Sequence, residues 1–114
     1  MPYLMIQTNQ SIDKTNGKKL LAQASKLIAA ELGKPESYVM LALEADTPML
    51  FAGDDAPLAY LELKSIGLPE TQTEQLSAAL CRLMEENMGI ARDRVYIEFA
   101  NAKGSMWGWK ASTF

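Results

Sequence analysis

The sequence predicts an α+β domain in which two successive β-α-β units form one four-stranded mixed sheet with both helices on one face. Three observations carry this reading. A strand, a helix and a strand are legible twice in the same order. Each helix ends at a glycine, Gly33 or Gly89, with the next strand a few residues on. Right-handed crossovers then bring both helices to the same side of the sheet. A length of 114 residues suits one domain, so residues 1–114 are read as a single unit.

Each element has a local cause. Tyr3 to Gln7 is short and apolar, as a strand is. Asp13, Thr15 and Asn16 offer helix caps. Leu20, Leu21, Ala24, Leu27, Ile28 and Leu32 then make a helical stripe facing away from Lys18, Lys19 and Lys26. Gly33 closes that helix and Pro35 blocks its continuation. Tyr38 to Glu44 reads as the second strand. Asp46 to Pro57, with two prolines, Gly53 and the pair Asp54 and Asp55, reads as a loop. Leu58 to Lys64 reads as the third strand, and Pro69 suits the first position of a second helix. Leu76, Leu80, Leu83, Met84 and Met88 form its stripe, and Arg94 to Ala100 is the fourth strand.

The strands are read as apolar on both faces. Leu4 and Ile6 alternate with Tyr3 and Met5; Val39, Leu41 and Leu43 alternate with Tyr38, Met40 and Ala42. Two helices cover one face only, so the other calls for a partner and a homo-oligomer is expected. A net charge of -3 without any block of like charge argues against nucleic acid and anionic membrane as partners. The opening MPYLMIQTNQ lacks the basic region and the apolar length of a signal peptide, and no segment approaches a membrane span. A soluble, cytoplasmic protein is expected.

The composition narrows the chemistry. The chain has no histidine, which removes imidazole bases, Ser-His and Cys-His pairs and His-ligated zinc. Cys81 is the only cysteine and falls inside an apolar helical pattern, where a buried structural thiol is expected. Asp54 and Asp55 supply too few ligands for a cation, so no metal is expected.

The remaining bases are carboxylates, lysines, tyrosines and the chain's own amine. Initiator methionine is normally removed ahead of a small residue such as proline, which would leave Pro2 as a secondary amine at the start of a strand. An α-amino group titrates near about 8. An apolar pocket or a nearby cation lowers that value and keeps the amine neutral. Tyr3, Leu4 and Met5 could help to build such a pocket; an ordinary second-position proline without a role is the alternative.

Lys34 follows the helix-ending Gly33. It either complements the negative helix terminus or holds a substrate carboxylate and polarises a carbonyl. Tyr96 and Glu98 share one strand face, opposite Val95, Ile97 and Phe99, and so belong on the side away from the helices. Met106, Trp107 and Trp109 cluster near the C-terminus as core, interface or pocket wall.

Together these positions resemble the macrophage migration inhibitory factor family, which includes D-dopachrome tautomerase. The resemblance spans essentially the whole chain. It rests on Met1-Pro2, on Gly33-Lys34-Pro35 with Tyr38, and on Pro48-Met49-Leu50-Phe51-Ala52-Gly53. It continues through Ser65-Ile66-Gly67, Asp93-Arg94-Val95-Tyr96-Ile97, Gly108-Trp109 and Ser112-Thr113-Phe114. It implies a homotrimer with active sites at subunit interfaces, and cofactor-free keto-enol tautomerisation of phenylpyruvate-like 2-oxo acids. On that pattern Pro2 is the base, and Lys34 and the backbone of Ile66 bind substrate oxygens. Tyr38, Tyr96, Met106, Trp107, Trp109 and Phe114 are expected at the pocket wall, some from a neighbouring subunit.

Three departures qualify the resemblance. Cytokine members carry a CxxC where this chain reads Leu58-Ala59-Tyr60-Leu61, so thiol-disulfide activity is expected to be absent. They have asparagine at Glu98 and a small residue at Trp107, which implies a narrower or reshaped pocket mouth and leaves the substrate preference open. Glu98 either lines the pocket, where its charge opposes an anionic substrate, or pairs with a cation such as Lys103. The alternative function is a cytokine-like or receptor-binding protein of the same fold, with vestigial chemistry.

Overall fold

A computed structural model describes all residues from Met1 to Phe114. β1 (Tyr3–Thr8) leads into α1 (Lys14–Leu32) and β2 (Met40–Glu44); β3 (Ala59–Ile66), α2 (Thr73–Met88) and β4 (Val95–Ala102) repeat the pattern. The sheet runs β2-β1-β3-β4. Each β-α-β unit pairs its two strands in parallel, and the units join through an antiparallel β1-β3 seam. The mixed sheet is the one expected from the sequence, and no helix is long and apolar enough to cross a membrane.

The core lies between the sheet and the helices. Leu4, Ile6, Leu61 and Leu63 of the central strands are fully buried against Leu20, Ala24 and Ile28 of α1 and Leu76, Leu80 and Met84 of α2. Alternation along β1 and β3 puts every second residue on that side. Val95 is buried there, and Ile97 and Phe99 pack against the same cluster.

Both helices end as the glycines predict. Gly33 and Gly89 take left-handed conformations, with φ of 60° and 63°. Asp13 is the N-cap of α1, its carboxylate accepting from the Asn16 backbone N–H at 2.8 Å. Thr15 and Asn16, the other two cap expectations, lie inside the helix.

Several boundaries differ. β3 begins at Ala59 and runs on to Ile66, and β4 begins at Val95, after a 3-10 turn that holds Arg94, and runs to Ala102. Tyr38 ends a short 3-10 turn (Glu36–Tyr38) instead of opening β2, because Pro35 fixes an extended entry and the turn follows it. Pro69 opens another 3-10 turn (Glu70–Gln72), and α2 itself starts at Thr73. The C-terminus forms a small hairpin of β5 (Gly108–Trp109) and β6 (Ser112–Thr113) that the sequence pattern does not announce. Cys81 is half-buried against the core, and burial pushes its thiol pKa up.

The sheet face away from the helices is not uniformly apolar. Tyr3, Met5, Met40, Ala42 and Tyr96 stand there as expected, with Met40 and Tyr96 each 66% exposed. β3 and β4 also place Glu62, Lys64 and Glu98 on it, because polar residues fill the alternate positions of those two strands. The loop after β2 is tied down by Arg94, which donates to the carbonyls of Phe51 and Ala56, both at 2.9 Å, and pairs with Asp54 at 2.8 Å.

Candidate active site

A 540 Å³ cavity opens at the start of β1. Met1, Pro2 and Tyr3 line it from the N-terminus, and Ser37, Tyr38, Val39 and Met40 from the turn before β2. Lys64 lines it from β3, and Trp107, Gly108, Trp109 and Phe114 from the C-terminal hairpin. Pro2 is fully buried, and its carbonyl accepts the Met40 backbone N–H at 3.0 Å. That bond belongs to the first parallel pairing, Tyr3↔Met40, and fixes the proline against the cavity.

The wall is an aromatic cluster. Trp109 stacks on Phe114 at 5.3 Å, and Tyr38 meets both rings edge-on at 5.5 and 6.0 Å. The hairpin holds this arrangement: the Phe114 N–H donates to the Trp107 carbonyl at 3.2 Å. Its two central residues, Lys110 and Ala111, both have positive φ, the tight geometry that suits a two-residue hairpin turn.

The amino terminus is electrostatically tuned. Burial pushes the Met1 amine below its usual value, and the charge of Lys34 lowers it further. Lys34 owes its place to the left-handed Gly33: the chain reverses there, and the Lys34 N–H returns to the Ala29 carbonyl at 3.0 Å. Its side chain does not line the cavity of its own chain; its charge reaches the amine.

Tyr38, Trp107, Trp109 and Phe114 thus gather around Pro2, while the other expected residues lie apart. Met106 is 80% exposed, beside the cavity and outside its wall. Ile66 ends β3, and extending the β1-β3 register places it level with Met1. Tyr96 pairs with Tyr60, which faces Gln7 of β1. It therefore stands two strands away from Pro2 and five residues along, about 16 Å at the usual strand rise. Glu98 pairs with Glu62, level with Met5, and has no ion-pair partner within the chain. Tyr96 instead packs on Phe51 at 4.7 Å and lines a separate 310 Å³ cavity, walled by hydrophobic residues that include Met49, Leu50 and Tyr60. Lys64 lines the Pro2 cavity, although nothing in the sequence pattern singles it out. Tyr60, Glu62 and Lys64 alternate onto the open face, but only the β1-β3 pairing sets Lys64 opposite Tyr3.

The comparisons agree with this architecture. The whole chain, residues 1–114, matches the family described as macrophage migration inhibitory factor (MIF). A macrophage migration inhibitory factor homolog of Brugia malayi is 36% identical, the match covering 100% of this chain and 99% of that one. One from Trichuris trichiura is also 36% identical, with 100% of both chains covered. Among solved structures, the homologue from Prochlorococcus marinus superposes with a TM-score of 0.93 at 40% identity over 98% of each chain. The fold is that of the macrophage migration inhibitory factor family, which lies within the tautomerase superfamily, and the chain belongs to that family.

Proposed function

We propose that this protein is a cytoplasmic, cofactor-independent keto-enol tautomerase of phenylpyruvate-like 2-oxo acids, acting as a homotrimer with Pro2 as its general base. One observation carries the reading: a fully buried Pro2 opens onto a largely apolar cavity, where burial and the charge of Lys34 both lower the pKa of the neighbouring Met1 amine.

Loss of Met1 converts the Pro2 nitrogen from an amide to a terminal secondary amine. The new terminus lies one residue deeper than the Met1 amine, so burial and Lys34 act on it in the same sense. A neutral amine removes a proton from the carbon next to the substrate's keto group. The electron pair moves onto the carbonyl oxygen as the enolate forms, and the ammonium returns a proton to complete the tautomerisation. Lys34 and the backbone N–H of Ile66 hold the substrate oxygens, and donors so placed stabilise the developing charge. Tyr38, Trp109 and Phe114 receive the aromatic ring of the substrate.

The trimer completes this site. Within one chain Tyr96 and Glu98 are too far from Pro2 to share a ligand with it, so they reach a Pro2 cavity only as a neighbour's residues. The open sheet face, with Met40 and Tyr96 exposed, supports association.

The test is an enolisation assay with phenylpyruvate, using protein whose mass shows that Met1 is gone. Turnover without added metal or cofactor supports the proposal. A trimer that fails to accelerate the reaction excludes it and favours a binding role.

A further inference from the structure

We propose that Lys64 sets the specificity of the Pro2 cavity: its ammonium binds the acidic group of the substrate and disfavours neutral analogues. The inference rests on reading this cavity as the substrate site.

Of the 12 residues lining the cavity, Lys64 alone has a charged side chain, and 8 of the 12 are hydrophobic. A cation at the edge of such a wall attracts an anion more strongly than it would in bulk water, less so where it is partly exposed and a carboxylate lies nearby. The sheet places it: Lys64 is the register partner of Tyr3, on the strand next to the one that Pro2 begins.

Lys64 is not committed to another partner. Its contact with Glu62 is 3.7 Å long, beyond hydrogen-bond length, and its side chain is 46% exposed. Exposed pairs of this kind are weak. Glu62 faces Lys64 with one carboxylate oxygen and accepts the Tyr60 hydroxyl at 3.0 Å with the other. An ammonium has three donors to offer, and those of Lys64 make no hydrogen bond within the chain.

The two lysines therefore have different stations. The charge of Lys34 acts on the terminal amine from outside the cavity wall, whereas Lys64 forms part of that wall. A 2-oxo acid presents two anionic or partly anionic groups during the reaction, the carboxylate and the nascent enolate oxygen. Lys34, beside the reacting amine, suits the second. Lys64 suits the first.

The experiment separates binding from turnover. Trp107 and Trp109 both line the cavity and are the only tryptophans, so their fluorescence reports its occupancy. Phenylacetate and neutral phenylacetamide, which are not substrates for enolisation, serve as probes. Lys64→Gln should weaken phenylacetate binding about tenfold, the worth of one charge-assisted hydrogen bond, with phenylacetamide unchanged. Lys64→Arg should restore it. In the assay, Lys64→Gln should raise KM for phenylpyruvate by a similar factor and leave its methyl ester unaffected. Equal effects on both probes, or none, overturn the inference, as does failure of the unaltered protein to prefer phenylacetate. If the binding pattern holds while no enolisation occurs, the tautomerase reading falls and the anion site stands.

Discussion

The Met40 backbone N–H donates to the carbonyl of Pro2 at 3.0 Å, so the residue expected to do the chemistry is also the first rung of the β1-β2 ladder. Site and scaffold are thereby joined. Pro2 cannot shift without disturbing the edge of the sheet, and the turn that carries Tyr38 is held at the same point.

Pro2→Ala tests the base. Alanine also follows a removable methionine, so the variant keeps a terminal amine and loses the ring that positions it. Phenylpyruvate enolisation should fall about 100-fold or more, within the range of a general base, without vanishing. Unchanged kcat in a variant shown by intact mass to have lost Met1 would show that the proline ring contributes nothing beyond a terminal amine.

Lys34→Ala tests the tuning of the amine. Lys34 lowers the pKa of the amino terminus, so its removal should raise the pKa of the base. The base works when neutral. The acid limb of the kcat-pH profile should therefore move to higher pH, with activity near neutrality reduced. KM for a 2-oxo acid should rise as well. A profile that stays in place would show that Lys34 acts on the substrate alone.

Glu98→Gln tests the open sheet face. Glu98 stands opposite Glu62 without an ion-pair partner in the chain, and its charge helps to push the Tyr60 pKa up, after burial and Glu62. If a neighbour's cavity receives it, neutralisation should tighten phenylpyruvate binding severalfold. The acid limb should also move to lower pH, because a nearby carboxylate favours the protonated amine. No change in either quantity would leave Glu98 a structural residue of the interface.

Ala111→Gly tests the hairpin. Ala111 has a φ of 61°, a conformation that glycine takes without the Cβ penalty. The substitution should stabilise the fold by about 0.5–1 kcal/mol, read as a higher midpoint in urea. A lower midpoint would mean that the added freedom of the unfolded chain outweighs the relief of strain.

Assembly is tested by light scattering coupled to size exclusion. The expected mass is three times the 12.6 kDa chain. A monomer at micromolar concentration would leave Tyr96 and Glu98 away from any Pro2 cavity.

The features legible in the sequence are those fixed by local rules. Gly33 and Gly89 mark both helix ends because a left-handed residue is needed there, and Leu4 with Ile6 marks the core side of β1 by alternation. Other features depend on contacts between distant segments. Lys64 enters the cavity through the β1-β3 register, which spacing along the chain does not encode. The hairpin escapes notice because its strands have two residues each and its turn, Lys110-Ala111, lacks the glycine or asparagine that usually announces one. Family resemblance is enough to place Tyr38, Trp109 and Phe114 at the pocket wall; that Tyr38 meets both other rings edge-on is visible only in the structure.

The proposed chemistry depends most on a free Pro2 nitrogen. The direct measurement compares phenylpyruvate enolisation by two preparations of the same chain, one processed to Pro2 and one retaining Met1, each verified by intact mass and shown to have the same oligomeric state. The processed protein should be active and the Met1-bearing protein inactive, because an amide nitrogen cannot accept the proton. Equal activity in the two would contradict the assignment of Pro2 as the base.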